Sequence, residues 1–264
     1  MPRITRRHFL QLAGSGLLVA HSPYLMAQPS KRKIGVALLG LGNYSTNLLA
    51  PALQDTKHCE LRGIITGSES KIPQWQQKYG IKDSNVYTYS TMADIANNDD
   101  IDVIYVVTPT GTHKDFAVQA ANTGKHVWCE KPMAMDSEEC QAIIDACDKN
   151  GVQLSIGYRM QHEPNTRTFH QYLETKPYGN LTALSSFAGY AGKGRAPDNW
   201  RMKKHMGGGA LYDMGVYAIN GARFLTGREP LAVTGSHPPQ RFPETFTEVD
   251  ETTLFTMDFG DGLV

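Results

Sequence analysis

Ile34-Gly35-Val36-Ala37-Leu38-Leu39-Gly40-Leu41-Gly42-Asn43-Tyr44-Ser45 reads as a short apolar strand running directly into a glycine-rich turn. An unbroken apolar run of this length suits a strand covered on both faces. Gly40 permits the tight turn, and Gly42 lets backbone approach a pyrophosphate with no β-carbon in the way. The helix expected next would turn its free N–H groups and positive dipole end towards the phosphates. Ser45 stands where a third glycine or alanine is usual and is still small enough for close packing. Alone, Gly-x-Gly-x-x-Ser is also an ordinary turn; ahead of alternating strands and helices it predicts a dinucleotide-binding unit.

Outward from that stretch the alternation is sustained. Strands are predicted at 60–66, 101–107, 126–129 and 152–157, with helices at 47–53 (despite Pro51), 72–79, 113–123 and 140–149. Asp136-Ser137-Glu138-Glu139 resembles a capping box, and Gly124 and Gly151 close their helices. The pattern predicts an α/β Rossmann parallel sheet over 33–157. Within it, Trp128-Cys129-Glu130-Lys131-Pro132 sets a lysine at the end of a buried strand, on the sheet's ligand edge. Residues 158–264 read as a second α/β domain with an open, largely antiparallel sheet. Strands are predicted at 181–190 and 254–259, and a Gly207-Gly208-Gly209 turn feeds a helix at 210–225. Asp213 and Tyr217 lie four apart, on one face of that helix. Gly260-Asp261-Gly262 makes a hairpin turn with only Leu263 and Val264 after it, so the second domain is expected to be incomplete, with an unpaired edge.

The first 27 residues are set apart from this fold. Thr5-Arg6-Arg7-His8-Phe9-Leu10 is a twin-arginine pattern followed by an uncharged apolar run. That run is too short and glycine-rich to span a bilayer, for which about 20 apolar residues are needed. Residues 1–27 are therefore expected to be a twin-arginine signal with a cleavage site near Ala27, directing the protein to the periplasm through the twin-arginine export machinery. An uncleaved anchor is the alternative. Residues 28–32 form an arm or linker. The chain has 26 basic and 26 acidic residues, and loss of Arg3, Arg6 and Arg7 would leave a slight acidic excess. Nothing in that balance attracts nucleic acid or anionic membrane. The four cysteines lack metal-ligand or disulfide-framework spacing, so free thiols and no metal are expected.

The end of the second strand bears on cofactor choice. An NAD site usually carries Asp or Glu there to hold the ribose 2′-hydroxyl. Thr66, Ser68 and Lys71 instead offer hydroxyls and a cation suited to a 2′-phosphate, and hence to NADP, although Glu69 could reach the ribose after a loop shift.

From Lys33 onward the chain resembles the Gfo/Idh/MocA oxidoreductases, and within them the periplasmic glucose–fructose oxidoreductases. The resemblance rests on Gly40-Leu41-Gly42-Asn43-Tyr44-Ser45-Thr46-Asn47, Cys129-Glu130-Lys131-Pro132, Ile156-Gly157-Tyr158-Arg159, Trp200-Arg201, and the run from Gly207 through Asp213 to Tyr217. It implies a sugar oxidoreductase with Lys131, Asp213 and Tyr217 as catalytic residues. Tyr217 would accept the proton of a sugar hydroxyl in concert with hydride transfer to nicotinamide C4, Lys131 would stabilise its phenolate, and Asp213 would orient the group and hydrogen-bond the sugar. A phenol needs such help, since its reference pKa is near 10. Lys131 as a structural ion-pair partner of Glu130 is the competing reading. The resemblance further implies that Gly40, Gly42, Asn43, Tyr44, Thr108, Pro109, Glu130, Lys131, Arg159, Trp200 and Arg201 line the cofactor cleft. His113 matches a family histidine but suits a capping or core role equally well.

Export and NADP together suggest a cofactor loaded before export and recycled on the enzyme, one sugar being oxidised and a second reduced. A dehydrogenase with exchanging cofactor, a nicotinamide-dependent glycosidase and a non-catalytic NADP-binding protein remain alternatives. Homo-oligomers are expected through the second domain.

Overall fold

A computed structural model describes residues 32–192, 196 and 198–263. The expected leader and all of the arm except Arg32 lie outside the described residues. Six parallel strands form the main sheet: β1 (Ile34–Leu39), β2 (Cys59–Ile65), β3 (Val86–Tyr87), β4 (Val103–Val106), β5 (His126–Cys129) and β6 (Leu154–Ile156). Their order is β3-β2-β1-β4-β5-β6, the doubly wound arrangement.

Alternation along β1 explains the two cores. Val36 and Leu38 enter one apolar cluster with Ile64 and Trp75, whereas Ala37 and Leu39 enter the other with Ile104 and Val127. Both faces are covered, as the unbroken apolar run requires. The short β3 escaped the sequence reading because two residues carry no periodicity.

The helix after β1 departs from the expected regular one. It opens with a π-helical turn, Ser45–Leu49, and continues as α1 (Ala50–Asp55), which contains Pro51. The Ala50 amide donates to the Ser45 carbonyl in an i→i+5 bond. Pro51 has no N–H and would crowd a regular turn, so the widened turn just before it relieves that conflict. Further along, α2 (Ile72–Tyr79), α3 (His113–Asn122) and α4 (Ser137–Asn150) fall close to their predicted bounds. Asp136 caps α4 through the Glu139 amide, but Glu139 reaches back to the Met135 amide and not to that of Asp136.

The C-terminal part of the chain carries α5 (Pro164–Thr175), a π-turn at Leu211–Gly215 leading into α6 (Val216–Thr226), and an antiparallel pair of β7 (Ala232–Ser236) and β8 (Leu254–Asp258). The predicted helix at 210–225 thus holds, with an altered first turn. The strand expected at 181–190 does not form. Alternating side chains make a strand only where a ladder partner exists, and this segment has none among the described residues. It lines one wall of a cavity of about 1070 Å³ whose other walls include Met214, Phe255 and Phe259.

Gly40 is the tightest point of the first turn. Its φ is +95°, and a β-carbon there would lie 2.5 Å from the Val107 carbonyl oxygen at the end of β4. Gly40→Ala should therefore cost about 2 kcal/mol or more of stability. Urea denaturation checks this, and an unchanged midpoint would refute the strain argument.

Candidate active site

Polar groups converge where β1, β4 and β5 end, at the point where strand order reverses and neighbouring loops diverge. Ser45 is buried and donates to the Gly40 carbonyl at 2.5 Å, so its hydroxyl ties the turn as well as packing closely. A β-carbon on Gly42 would meet nothing within 4 Å, which leaves the open approach that a pyrophosphate needs. Asn43 is exposed beside this turn, where its side-chain oxygen accepts from Asn47.

Lys71 reaches across to the same turn and donates to the Leu41 carbonyl at 2.7 Å. The cation after β2 therefore sits beside the phosphate-binding loop. Thr66 is buried and its hydroxyl accepts the Ser68 amide, while Ser68 itself is exposed. This edge fits a dinucleotide: a glycine with open space, a helix start and a cation.

After β4, Pro109 is extended and its carbonyl accepts both the amide and the hydroxyl of Thr112, whose hydroxyl also donates to Thr108 Oγ1. Thr110 is buried against Gly207. His113 is buried and spans two turns, with Nδ1 2.8 Å from the Pro132 carbonyl and Nε2 2.9 Å from that of Thr108. Its role is to join the β4 and β5 turns.

Lys131 and Asp213 form the centre. Lys131 Nζ donates to the Asp213 backbone carbonyl at 2.5 Å and lies 3.3 Å from Asp213 Oδ1. Asp213 Oδ2 accepts from the Tyr190 phenol at 2.6 Å and from Arg201 Nε at 2.7 Å. Burial opposes charge on Asp213, but Lys131, Tyr190 and Arg201 outweigh it and hold the carboxyl below its usual range. Burial lowers the Lys131 pKa, with Asp213 opposing. The direct ion-pair contact of the lysine is therefore with Asp213; Glu130 accepts its backbone amide at 3.2 Å and acts on the ammonium through space.

Tyr217 completes the group differently from expectation. Lys131 Nζ lies over its ring, 4.6 Å from the centroid, and not at the phenol oxygen. The cation acting on that oxygen is Arg159, which opposes the upward shift caused first by burial and then by Glu130. Arg201, expected beside the cofactor, is bound to Asp213, with its guanidinium carbon 4.3 Å from the Trp200 ring centroid. Asp213 likewise has both oxygens engaged within the protein, which makes it an anchor for its neighbours, while Oδ1, with Lys131 at 3.3 Å, retains capacity to accept a further hydrogen bond.

Behind Tyr217, Glu130 is buried and accepts from the Tyr105 phenol at 2.5 Å. Burial raises the Glu130 pKa, with the Tyr105 bond opposing. Tyr44 feels the same enclosure, its phenol pushed up to about 12 by burial and by the Glu130 charge.

Two profiles cover these elements. That of the oxidoreductase family with NAD-binding Rossmann fold matches residues 34–158, and that of the GFO/IDH/MocA C-terminal domain matches 166–264. The chain belongs to the Gfo/Idh/MocA family. Among family members, a D-xylose 1-dehydrogenase (NADP+) of Haloarcula marismortui is 30% identical over 84% of this chain and 62% of its own length. A levoglucosan dehydrogenase of Pseudarthrobacter phenanthrenivorans is 32% identical over 57% of this chain and 38% of its own. The crystal structure of an aldose-aldose oxidoreductase from Caulobacter crescentus complexed with glycerol superposes with a TM-score of 0.83 at 35% identity, covering 88% of this chain and 69% of that one. The chain thus spans under two thirds of the length of the curated relatives named here.

Three contributors escaped the sequence reading: Tyr105, Tyr190 and Asp250. Asp250 Oδ2 accepts the Leu211 amide at 2.8 Å and the Thr253 hydroxyl, and its backbone carbonyl accepts the Ala210 amide. It caps, from 39 residues away, the π-turn that carries Asp213. Asp250→Ala should lower stability by about 1–2 kcal/mol, and hydrogen exchange should show faster opening at 211–217 than in the Rossmann sheet. Uniform loss of protection across 211–217 and the Rossmann sheet alike would contradict a local capping role.

Proposed function

We propose that the protein is an NADP-dependent sugar oxidoreductase whose retained cofactor is recycled by oxidising one aldose and reducing a second sugar. The observation that carries the reading is the Lys131–Asp213 pair beside Tyr217, on the strand edge that also holds the Gly40–Gly42 turn. Lys71 beside that turn favours NADP over NAD, since a cation there meets a 2′-phosphate. The twin-arginine pattern supports export to the periplasm in folded, loaded form, and the family resemblance supports assembly of like chains.

Bound nicotinamide would supply the hydride acceptor and donor; the protein's residues do the rest. Gly40, Gly42 and the helix start would hold phosphate, with Lys71 and Ser68 available to a 2′-phosphate. Of the three donors on the Lys131 ammonium, Asp213 occupies two directions, leaving one to fix the reacting sugar oxygen. Tyr217 accepts the hydroxyl proton, with Arg159 favouring its phenolate. The alternative with a freely exchanging cofactor uses the same residues and differs only in cofactor release.

Denaturing purified full-length protein and assaying the supernatant tests this directly. Near-stoichiometric NADP(H), with ping-pong kinetics for aldose and ketose pairs, is the expected result. An empty protein that consumes added NADP in every turnover would refute retention.

Tyr217→Phe should reduce sugar oxidation by about 10²-fold or more while leaving NADP bound; unimpaired turnover would exclude the phenol as proton acceptor. The pH profile follows from two opposed requirements. Tyr217, raised by burial, must lose its proton, so kcat/KM climbs with pH; Lys131, lowered by burial, must keep its own, so the rate falls again at higher pH. Arg159→Gln removes the cation that favours phenolate and should lower kcat/KM on the acid side of the profile while leaving the far alkaline side unchanged.

A further inference from the structure

Asp213 offers one negative charge to two cations, and the arrangement sets which oxygen each receives. Oδ2 is shared by Tyr190 and Arg201, at 2.6 and 2.7 Å, and Oδ1 faces Lys131 at 3.3 Å. An arginine fork can take both oxygens of a carboxylate at once. Here Arg201 engages Oδ2 through Nε, and the Tyr190 phenol occupies the same oxygen from the 181–190 segment. The carboxylate is itself buried, with its side chain only 6% exposed, so water offers little substitute for a lost donor.

We infer that Tyr190 is a positioning residue for the proposed sugar chemistry: its hydroxyl fixes the plane of the Asp213 carboxylate, keeps Arg201 from chelating both oxygens, and reserves Oδ1 for Lys131. Through that oxygen it sets where the Lys131 ammonium stands and how firmly it holds its proton. The other ionisable groups facing Lys131 are Glu130, Arg201, His113 and the Tyr217 ring. Of these, only Arg201 competes with it for the same carboxylate by direct contact.

The inference rests on the proposed sugar oxidoreductase reading, but its decisive test does not depend on turnover. The proton affinity of Lys131 is measured by reductive methylation of the full chain with formaldehyde and a borohydride across a pH series, followed by peptide mass spectrometry at residue 131. Tyr190→Phe removes the hydroxyl and keeps the ring. Arg201 is then free to swing onto Oδ1, and the Lys131 midpoint should move to lower pH. Arg201→Gln removes the competitor and a like charge, so the midpoint should move the other way.

Opposite displacements in two variants of native-like melting temperature would support the positioning role, because loosened packing would move both in one direction. An unchanged or raised midpoint in Tyr190→Phe would overturn it. Where the wild type oxidises sugars, Tyr190→Phe should also lower kcat by about tenfold with KM for NADP unchanged. A wild type inactive on every sugar would refute the proposed function while leaving the Lys131 titration to decide this inference.

Discussion

A buried carboxylate with three donors holds the active-site region together. Asp213 joins four pieces of chain: the end of β5 through Lys131, the 181–190 segment through Tyr190, the 200–202 turn through Arg201, and its own π-turn. An unpaired charge in that position would be costly, and each added donor lowers that cost while fixing one more segment. The same oxygens that satisfy burial thus determine where the lysine stands. Stability and the proposed chemistry share a single group here, so altering one at this position alters the other.

Glycine makes the second requirement of the site possible. The β1 turn must pass close to the end of β4, where Gly40 clears the Val107 carbonyl, and must still leave space outside Gly42. Ser45 closes the turn from beneath with its hydroxyl. The two halves of the edge are then linked by His113, which bridges the turns after β4 and β5. Phosphate-facing backbone and lysine are thereby mounted at the ends of β1 and β5, with β4 between them, on one rigid sheet.

Features confined to a few consecutive residues were legible in the sequence. The β1–turn–helix unit, the lysine after β5, and the Asp213 and Tyr217 pair each carry local spacing that constrains their geometry. Tyr105, Tyr190 and Asp250 carry no such signature, because their partners lie 25, 23 and 39 residues away and any tyrosine or aspartate reads alike before folding. The same limit explains the missing strand at 181–190: alternation was present, but pairing is a property of two segments. It also explains the exchange of roles between Lys131 and Arg159 at Tyr217, since spacing brings residues to a face without stating which end of a ring each will meet.

Both helices that border the cleft begin with a π-turn, Ser45–Leu49 in one and Leu211–Gly215 in the other. A π-turn accommodates one residue more than an α-turn, and each residue of a regular helix advances the phase by roughly 100°. The residues ahead of each bulge therefore face a direction that an uninterrupted helix would not give them relative to the apolar stripe behind it. Tyr44 lies at the start of the first such turn and Asp213 within the second. The aim of both side chains is thus written as a count of residues, a single extra codon's worth of backbone, and not as a choice of amino acid. Divergence among relatives at these two points would accordingly be felt through insertion and deletion sooner than through substitution.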